Sequence, residues 1–100
     1  MEWGYEEKYD LLGIMLKEYK KEDYDRSEEV AAGFIVDILK DGSIGAIEIL
    51  DWARGCGLRP HQVKDMNIDV EIKRGEFSAL IIVKGEYKGK KHSLSGGIFL

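Results

Sequence analysis

The stretch from Ser27 to Trp52, SEEVAAGFIVDILKDGSIGAIEILDW, has the pattern of a β-hairpin. Two runs rich in β-branched residues flank Asp41-Gly42, a dipeptide typical of a two-residue type I′ turn because both central positions need positive φ. The register that follows pairs Lys40 with Ser43, Leu39 with Ile44, Val36 with Ile47, Ile35 with Glu48 and Phe34 with Ile49. This register gathers the large apolar side chains on one face, whereas a slip of one residue would mix the two faces.

Several motifs of this stretch resemble the DUF2283 family of small uncharacterised prokaryotic proteins. The matching motifs are Glu28-Glu29-Val30, Gly33, Ile35-Val36-Asp37, Asp41-Gly42 and Ile47-Glu48-Ile49-Leu50-Asp51. The family also has a strand, a turn and a second strand at its N-terminus, which residues 3–16 match loosely. The resemblance implies the fold of about residues 1–52, with residues 53–100 as a β-rich extension of the same domain, and it implies no catalytic residues.

Length and composition predict a single domain of 100 residues. Hydrophobic residues at 44% and charged residues at 34% are typical of a soluble globular chain, and no apolar run approaches the roughly 18 residues of a membrane span. The acidic N-terminus lacks the apolar segment of a secretory signal, and Cys56 is the only cysteine. These features predict a protein of the reducing cytoplasm.

The charged residues bear on possible partners and on the source of the chain. The net charge of −4 disfavours a nucleic-acid binder, since contacts to phosphates need a concentrated basic surface. Lys and Glu are abundant, whereas Asn67 and Gln62 are the only side-chain amides and threonine is absent. This bias is typical of thermophile proteins.

Other runs predict further strands and two short helical turns. Besides the hairpin strands at residues 29–39 and 44–50, strands are predicted over residues 1–5, 11–17, 68–73 and 77–84. The predicted turns are Arg74-Gly75, which pairs Lys73 with Glu76, and Tyr87–Lys90, which pairs Glu86 with Lys91. Asp51 is predicted to cap a helical turn at Trp52–Arg54, and Pro60 to open another that reaches Met66. We therefore expect an α+β domain, a mainly antiparallel sheet of about six or seven short strands built from hairpins.

Two groups of residues are candidates for chemistry. Asp37 and Glu48 fall on one face of the hairpin, offset by one pair, so their carboxylates are the best candidates for a divalent metal or a shared proton. The competing interpretation is that they mark a solvated face. Cys56 and His61 would form a nucleophile and base only if a loop brought them together. His92 is predicted to be an exposed strand residue, and no motif predicts a cofactor.

Function is predicted from surfaces more than from motifs. The main prediction is a non-enzymatic protein that acts through self-association as a twofold dimer, through sheet edges or the apolar terminus Ile98–Leu100. The first alternative is an enzyme or metal-binding protein that uses the Asp37 and Glu48 face. The second is a nucleic-acid-binding module that uses the Lys-rich segments 17–21 and 84–91, in which tyrosines interleave with the lysines.

Overall fold

The computed structural model of the protein describes all 100 residues, and its backbone forms two antiparallel sheets. The eight strands in chain order are β1 (Glu2–Glu6), β2 (Leu11–Met15), β3 (Tyr24–Ala31), β4 (Phe34–Leu39), β5 (Ile44–Leu50), β6 (Asn67–Arg74), β7 (Ser78–Tyr87) and β8 (Lys90–Phe99). The first sheet has the order β1-β2-β5-β4-β3 and the second β6-β7-β8. The prediction of a mainly antiparallel fold is confirmed, with eight strands instead of six or seven.

Helical structure is confined to short segments between the strands. The α-helix α1 spans Trp52–Cys56, and 3₁₀ turns span Glu7–Tyr9, Lys21–Asp23 and Pro60–Asp65. Gly57 ends α1 with a φ of 69° in the left-handed region. No helix is long and apolar enough to span a membrane.

The central hairpin keeps the predicted core register but uses a different turn. Phe34 pairs with Ile49 and Val36 with Ile47, as the apolar pattern predicts. The predicted pairing of Lys40 with Ser43 is wrong: the Leu39 amide donates to the Ser43 carbonyl, so the loop holds three residues. A bulge in β5 compensates for the extra loop residue, because Ile38 pairs with Ile44 and leaves Gly45 unpaired. The demand for one buried face therefore overrode the turn preference of the Asp-Gly dipeptide.

The strand β3 was not predicted as a separate element. The sequence predicted one strand over residues 29–39, whereas Gly33, with a φ of 70°, makes a turn that divides this run. The residues of β3 are mostly polar and none is buried, because the strand lies at an edge of the first sheet. An edge strand of this kind has little apolar alternation, so the sequence pattern did not reveal it.

The second sheet contains the predicted strands but pairs the first two in a different register. Lys73 pairs with Leu80 instead of Glu76, because the turn is a wider loop closed by a hydrogen bond from the Gly75 amide to the Ser78 carbonyl. The shift is four residues, an even number, so the inward face is preserved. The last turn is confirmed, since Tyr87 pairs with Lys90 and Glu86 with Lys91.

One hydrophobic core of 18 buried residues joins the two sheets and α1. Phe34, Val36, Ile47 and Ile49 supply it from the first sheet, and Ile81 supplies it from the second. The edge strands β3 and β8 approach closely where the sheets meet. A Cβ added to Gly96 of β8 would lie 2.5 Å from Cγ2 and 3.1 Å from the carbonyl oxygen of Val30. This close approach therefore depends on glycine at position 96.

The cap of α1 comes from a distant part of the chain. Asp51 makes no side-chain capping bond, so the predicted cap is wrong. Instead the Asp10 carboxylate accepts the amides of Ala53 at 2.8 Å and Arg54 at 3.1 Å. It also accepts the hydroxyl proton of Tyr5 at 2.5 Å. Burial, together with this hydrogen bond, raises the pKa of Tyr5 well above its usual range.

Candidate functional site

Asp37 and Glu48 lie on the outer face of the first sheet, as predicted, but only one of them is free. Asp37 accepts a hydrogen bond from the Tyr19 hydroxyl at 2.7 Å and another from the Ser27 hydroxyl at 2.6 Å. Burial of Tyr19 and its bond to Asp37 raise the pKa of the phenol to about 12. Asp37 therefore has a structural role: its hydrogen bond holds the loop that contains Tyr19 against the outer face of the first sheet.

The face around Asp37 and Glu48 brings two offset carboxylates to the same side of the first sheet. No group of three or more His, Cys, Asp or Glu side chains in the fold is arranged to hold a metal ion. Glu48 is exposed and forms no ion pair within the chain.

Cys56 and His61 are in environments that do not suit a nucleophile and its base. Cys56 is buried in the core, where burial raises the pKa of the thiol to about 11. A reactive cysteine needs the opposite shift, because the thiolate is the nucleophile. His61 is exposed on the 3₁₀ turn after Pro60, and no hydrogen bond joins it to the thiol. The geometry therefore gives Cys56 a packing role.

His92 differs from its predicted role, because it is half-buried on the inner face of the second sheet, opposite Gly85. The Trp52 ring covers the same glycine, since a Cβ on Gly85 would lie 2.7 Å from its Cζ2 atom. Nε1 of Trp52 and Nε2 of His92 are both buried without a hydrogen-bond partner. The two side chains help to line a cleft of ≈240 Å³ between α1 and β8. This volume is below the roughly 300–1,000 Å³ of most ligand pockets.

The two Lys-rich segments lie at opposite ends of the molecule. Lys17 contacts Asp41 at 3.5 Å, and Arg74 donates to the carbonyl of nearby Gly42 at 3.3 Å. The first segment therefore lies at the Arg74 end of the second sheet. The Tyr87–Lys90 turn is at the other end of β7, whose ten residues extend roughly 30 Å. The two segments therefore lie roughly one strand length apart.

The outer face of the second sheet is charged but internally paired. It forms a shallow depression of ≈720 Å³ in which the Lys84 ammonium contacts the Glu71 carboxylate at 2.6 Å. This contact lowers the pKa of Glu71 and raises that of Lys84. Exposed pairs of this kind contribute little to stability and keep a sheet face solvated.

One end of the second sheet carries a cluster of exposed apolar side chains, which we call the apolar end. Its members are Phe77 (69% exposed), Leu80 (40%), Phe99 (85%) and Leu100 (40%). Their main chains are close because Phe99 pairs with Ser78 and the Leu100 amide donates to the Phe77 carbonyl at 2.9 Å. Alternation along the strands places Leu80 and Phe99 together on the outer face. Of the predicted apolar terminus, Ile98 is buried in the core and the last two residues are open.

Sequence reasoning missed two members of the apolar end. The sequence predicts that Phe77 begins a strand over residues 77–84, which also contains Leu80. The four-residue register shift carries Phe77 into the loop before β7, and nothing covers the outer face at Leu80. An even shift leaves the alternation unchanged, so the sequence contained no signal that would have found it.

Comparisons of the chain with protein-family models, curated proteins and solved structures found no match. The resemblance of the first half to the DUF2283 family therefore stays a prediction.

Proposed function

We propose that the protein acts through self-association, with the apolar end as the contact between two copies. The observation that carries this proposal is the exposure of Phe99 and Leu80 on the outer face of the second sheet and of Phe77 at the same end of that sheet. Burying an exposed phenylalanine contributes about 1.5–3 kcal/mol to the free energy of association. In a twofold contact each residue contributes once from each copy. Aromatic side chains at the centre of an interface are typical binding anchors.

The surroundings of the apolar end fit the rim of an interface. Arg26 donates from Nη2 to the Phe99 carbonyl at 3.4 Å, and its guanidinium also pairs with Asp25 and Glu28. A polar rim around an apolar centre is the usual arrangement in protein contacts. We also propose a location in the reducing cytoplasm, where a free thiol such as that of Cys56 stays reduced.

Sedimentation equilibrium at micromolar concentration tests the proposal. We expect the full-length chain to exceed its 11.4 kDa monomer mass and Phe99→Ser to shift it toward the monomer, with far-ultraviolet circular dichroism unchanged. The matched control is Leu50→Ser, because Leu50 is 46% exposed on the outer face of the first sheet. A monomeric wild-type chain, or equal effects of the two substitutions, would refute the proposal.

A further inference from the structure

Strand β1 is an uncovered edge of the first sheet. It pairs with β2 on one side only, so half of its main-chain donors and acceptors face outward. Gly4 of β1, Gly13 of β2 and Glu48 of β5 stand side by side in adjacent strands. The free edge is thus connected to the Glu48 carboxylate across two residues without side chains.

These residues form an open channel, which we call the glycine trough. A Cβ on Gly4 would meet no atom within 4 Å, and a Cβ on Gly13 would meet only the Gly4 carbonyl oxygen, at 4.0 Å. The trough has a volume of ≈480 Å³. The outer-face residues that flank its floor are Glu2, Met15 and Ala46 on one side and Glu6 and Leu11 on the other.

We propose that the β1 edge binds an extended segment of a partner protein and that the glycine trough takes an arginine or lysine side chain of that segment. Adding a strand to an open sheet edge gives affinity through main-chain bonds and specificity through side-chain sites. The added strand would lie about 4.8 Å outside β1, which places its Cα about 14 Å from that of Glu48. A fully extended arginine laid along the trough, together with the Glu48 side chain and one hydrogen bond, approaches that distance.

The charges and walls of the trough identify its occupant as cationic. Leu11 and Met15 offer apolar surface to the methylene stem of a lysine or arginine. Glu48 on β5 and Glu2 and Glu6 on the edge strand β1 have no cationic partner in the chain. A charge-assisted hydrogen bond to Glu48 would therefore form without breaking an existing pair.

Pairing of β1 with a second copy of itself is disfavoured in the register centred on Gly4. Antiparallel pairing of β1 with itself about Gly4 would place Glu2 directly opposite Glu6 twice. Like charges opposite each other destabilise a strand pair. The β1 edge is therefore separate from the apolar end, and the two proposals are tested by different variants.

The test uses the full-length chain and an acetylated and amidated peptide, Thr-Val-Thr-Arg-Thr-Val-Thr, with citrulline in place of arginine as its neutral control. Binding is followed by the amide shifts of the ¹⁵N-labelled protein. We expect the arginine peptide to shift the amides of residues 2–6 and to bind about two- to fivefold more tightly than the citrulline peptide. Added salt should remove this difference.

Two substitutions and a control locate the effect. Glu48→Gln should abolish the preference for arginine, and Gly13→Leu should abolish binding by filling the trough. The control Glu29→Gln, on the opposite edge strand β3, should change neither the binding of the peptide nor its preference for arginine. Equal binding of the two peptides, or shifts that map away from β1, would overturn the proposal. Shifts of the β1 amides with protein concentration alone would also overturn it, since the occupant would then be a second copy.

Discussion

Asp10 connects the first hairpin to α1 through a single side chain. The sequence predicts Asp51 as the cap because it directly precedes the helix. The residue that caps the helix is Asp10, 43 residues before Ala53, whose amide it accepts. A local rule cannot find such a cap, because tertiary folding brings Asp10 to the helix. The sequence therefore predicted correctly that a carboxylate caps the start of α1, but not which aspartate supplies it.

The two aspartates allow a matched test of this cap. Both have left-handed backbones, with φ of 49° at Asp10 and 55° at Asp51, and asparagine tolerates this conformation. Asp10→Asn should lower the free energy of unfolding by about 1–2 kcal/mol, because one carbonyl oxygen replaces a carboxylate that accepts three hydrogen bonds. Asp51→Asn should change it by less than about 0.5 kcal/mol. Urea denaturation measures both, and equal losses would contradict the assignment of the cap.

At the scale of elements, alternation predicted faces better than it predicted turns or edges. The apolar face of the central hairpin was correct because burial constrains every second residue. The turns after Leu39 and Arg74 were wrong, since a bulge or a wider loop changes the local pairing without exposing the core face. Edge strand β3 was missed for the related reason that a solvated strand has no apolar period to detect.

The contact between β3 and β8 gives an element-scale prediction. Gly96→Ala should lower the free energy of unfolding by about 1–3 kcal/mol, because its methyl group would crowd the Val30 side chain and carbonyl. Gly97→Ala is the neighbouring control: its Cβ would meet only the Ala79 carbonyl oxygen, at 3.8 Å. We expect that change to stay within about 0.5 kcal/mol. Urea midpoints that rank the two variants the other way would show that the sheets do not meet at Gly96.

At the scale of the whole molecule, Cys56 and Tyr19 make the folded state less stable at alkaline pH. Burial raises the pKa of Cys56 from 9.0 to about 11, and burial with the Asp37 bond raises that of Tyr19 from 10.0 to about 12. Both groups keep their protons in the folded state when the unfolded chain releases them. Their stabilising contributions are therefore complete below pH 9.0 and are lost as the pH rises to about 12.

The expected result is a urea midpoint that falls as the pH rises above 9.0. Cys56→Ala should flatten the part of this fall between pH 9.0 and about 11, where the thiol titrates. The decrease in the urea midpoint that Tyr19 causes above pH 10.0 should persist in Cys56→Ala, so it serves as an internal control. An unchanged slope in Cys56→Ala would mean that the thiol does not titrate differently in the folded and unfolded states.

The central claim is that two copies meet at the apolar end, and nuclear Overhauser effects between copies test it most directly. The sample is an equimolar mixture of ¹³C-labelled and unlabelled full-length chain, filtered so that only contacts between copies appear. The proposal predicts such contacts from the ring protons of Phe99 and Phe77 to the methyl groups of Leu80 and Leu100. Contacts confined to Met15 and Leu50 on the first sheet, or none at a concentration where sedimentation shows a dimer, would contradict it.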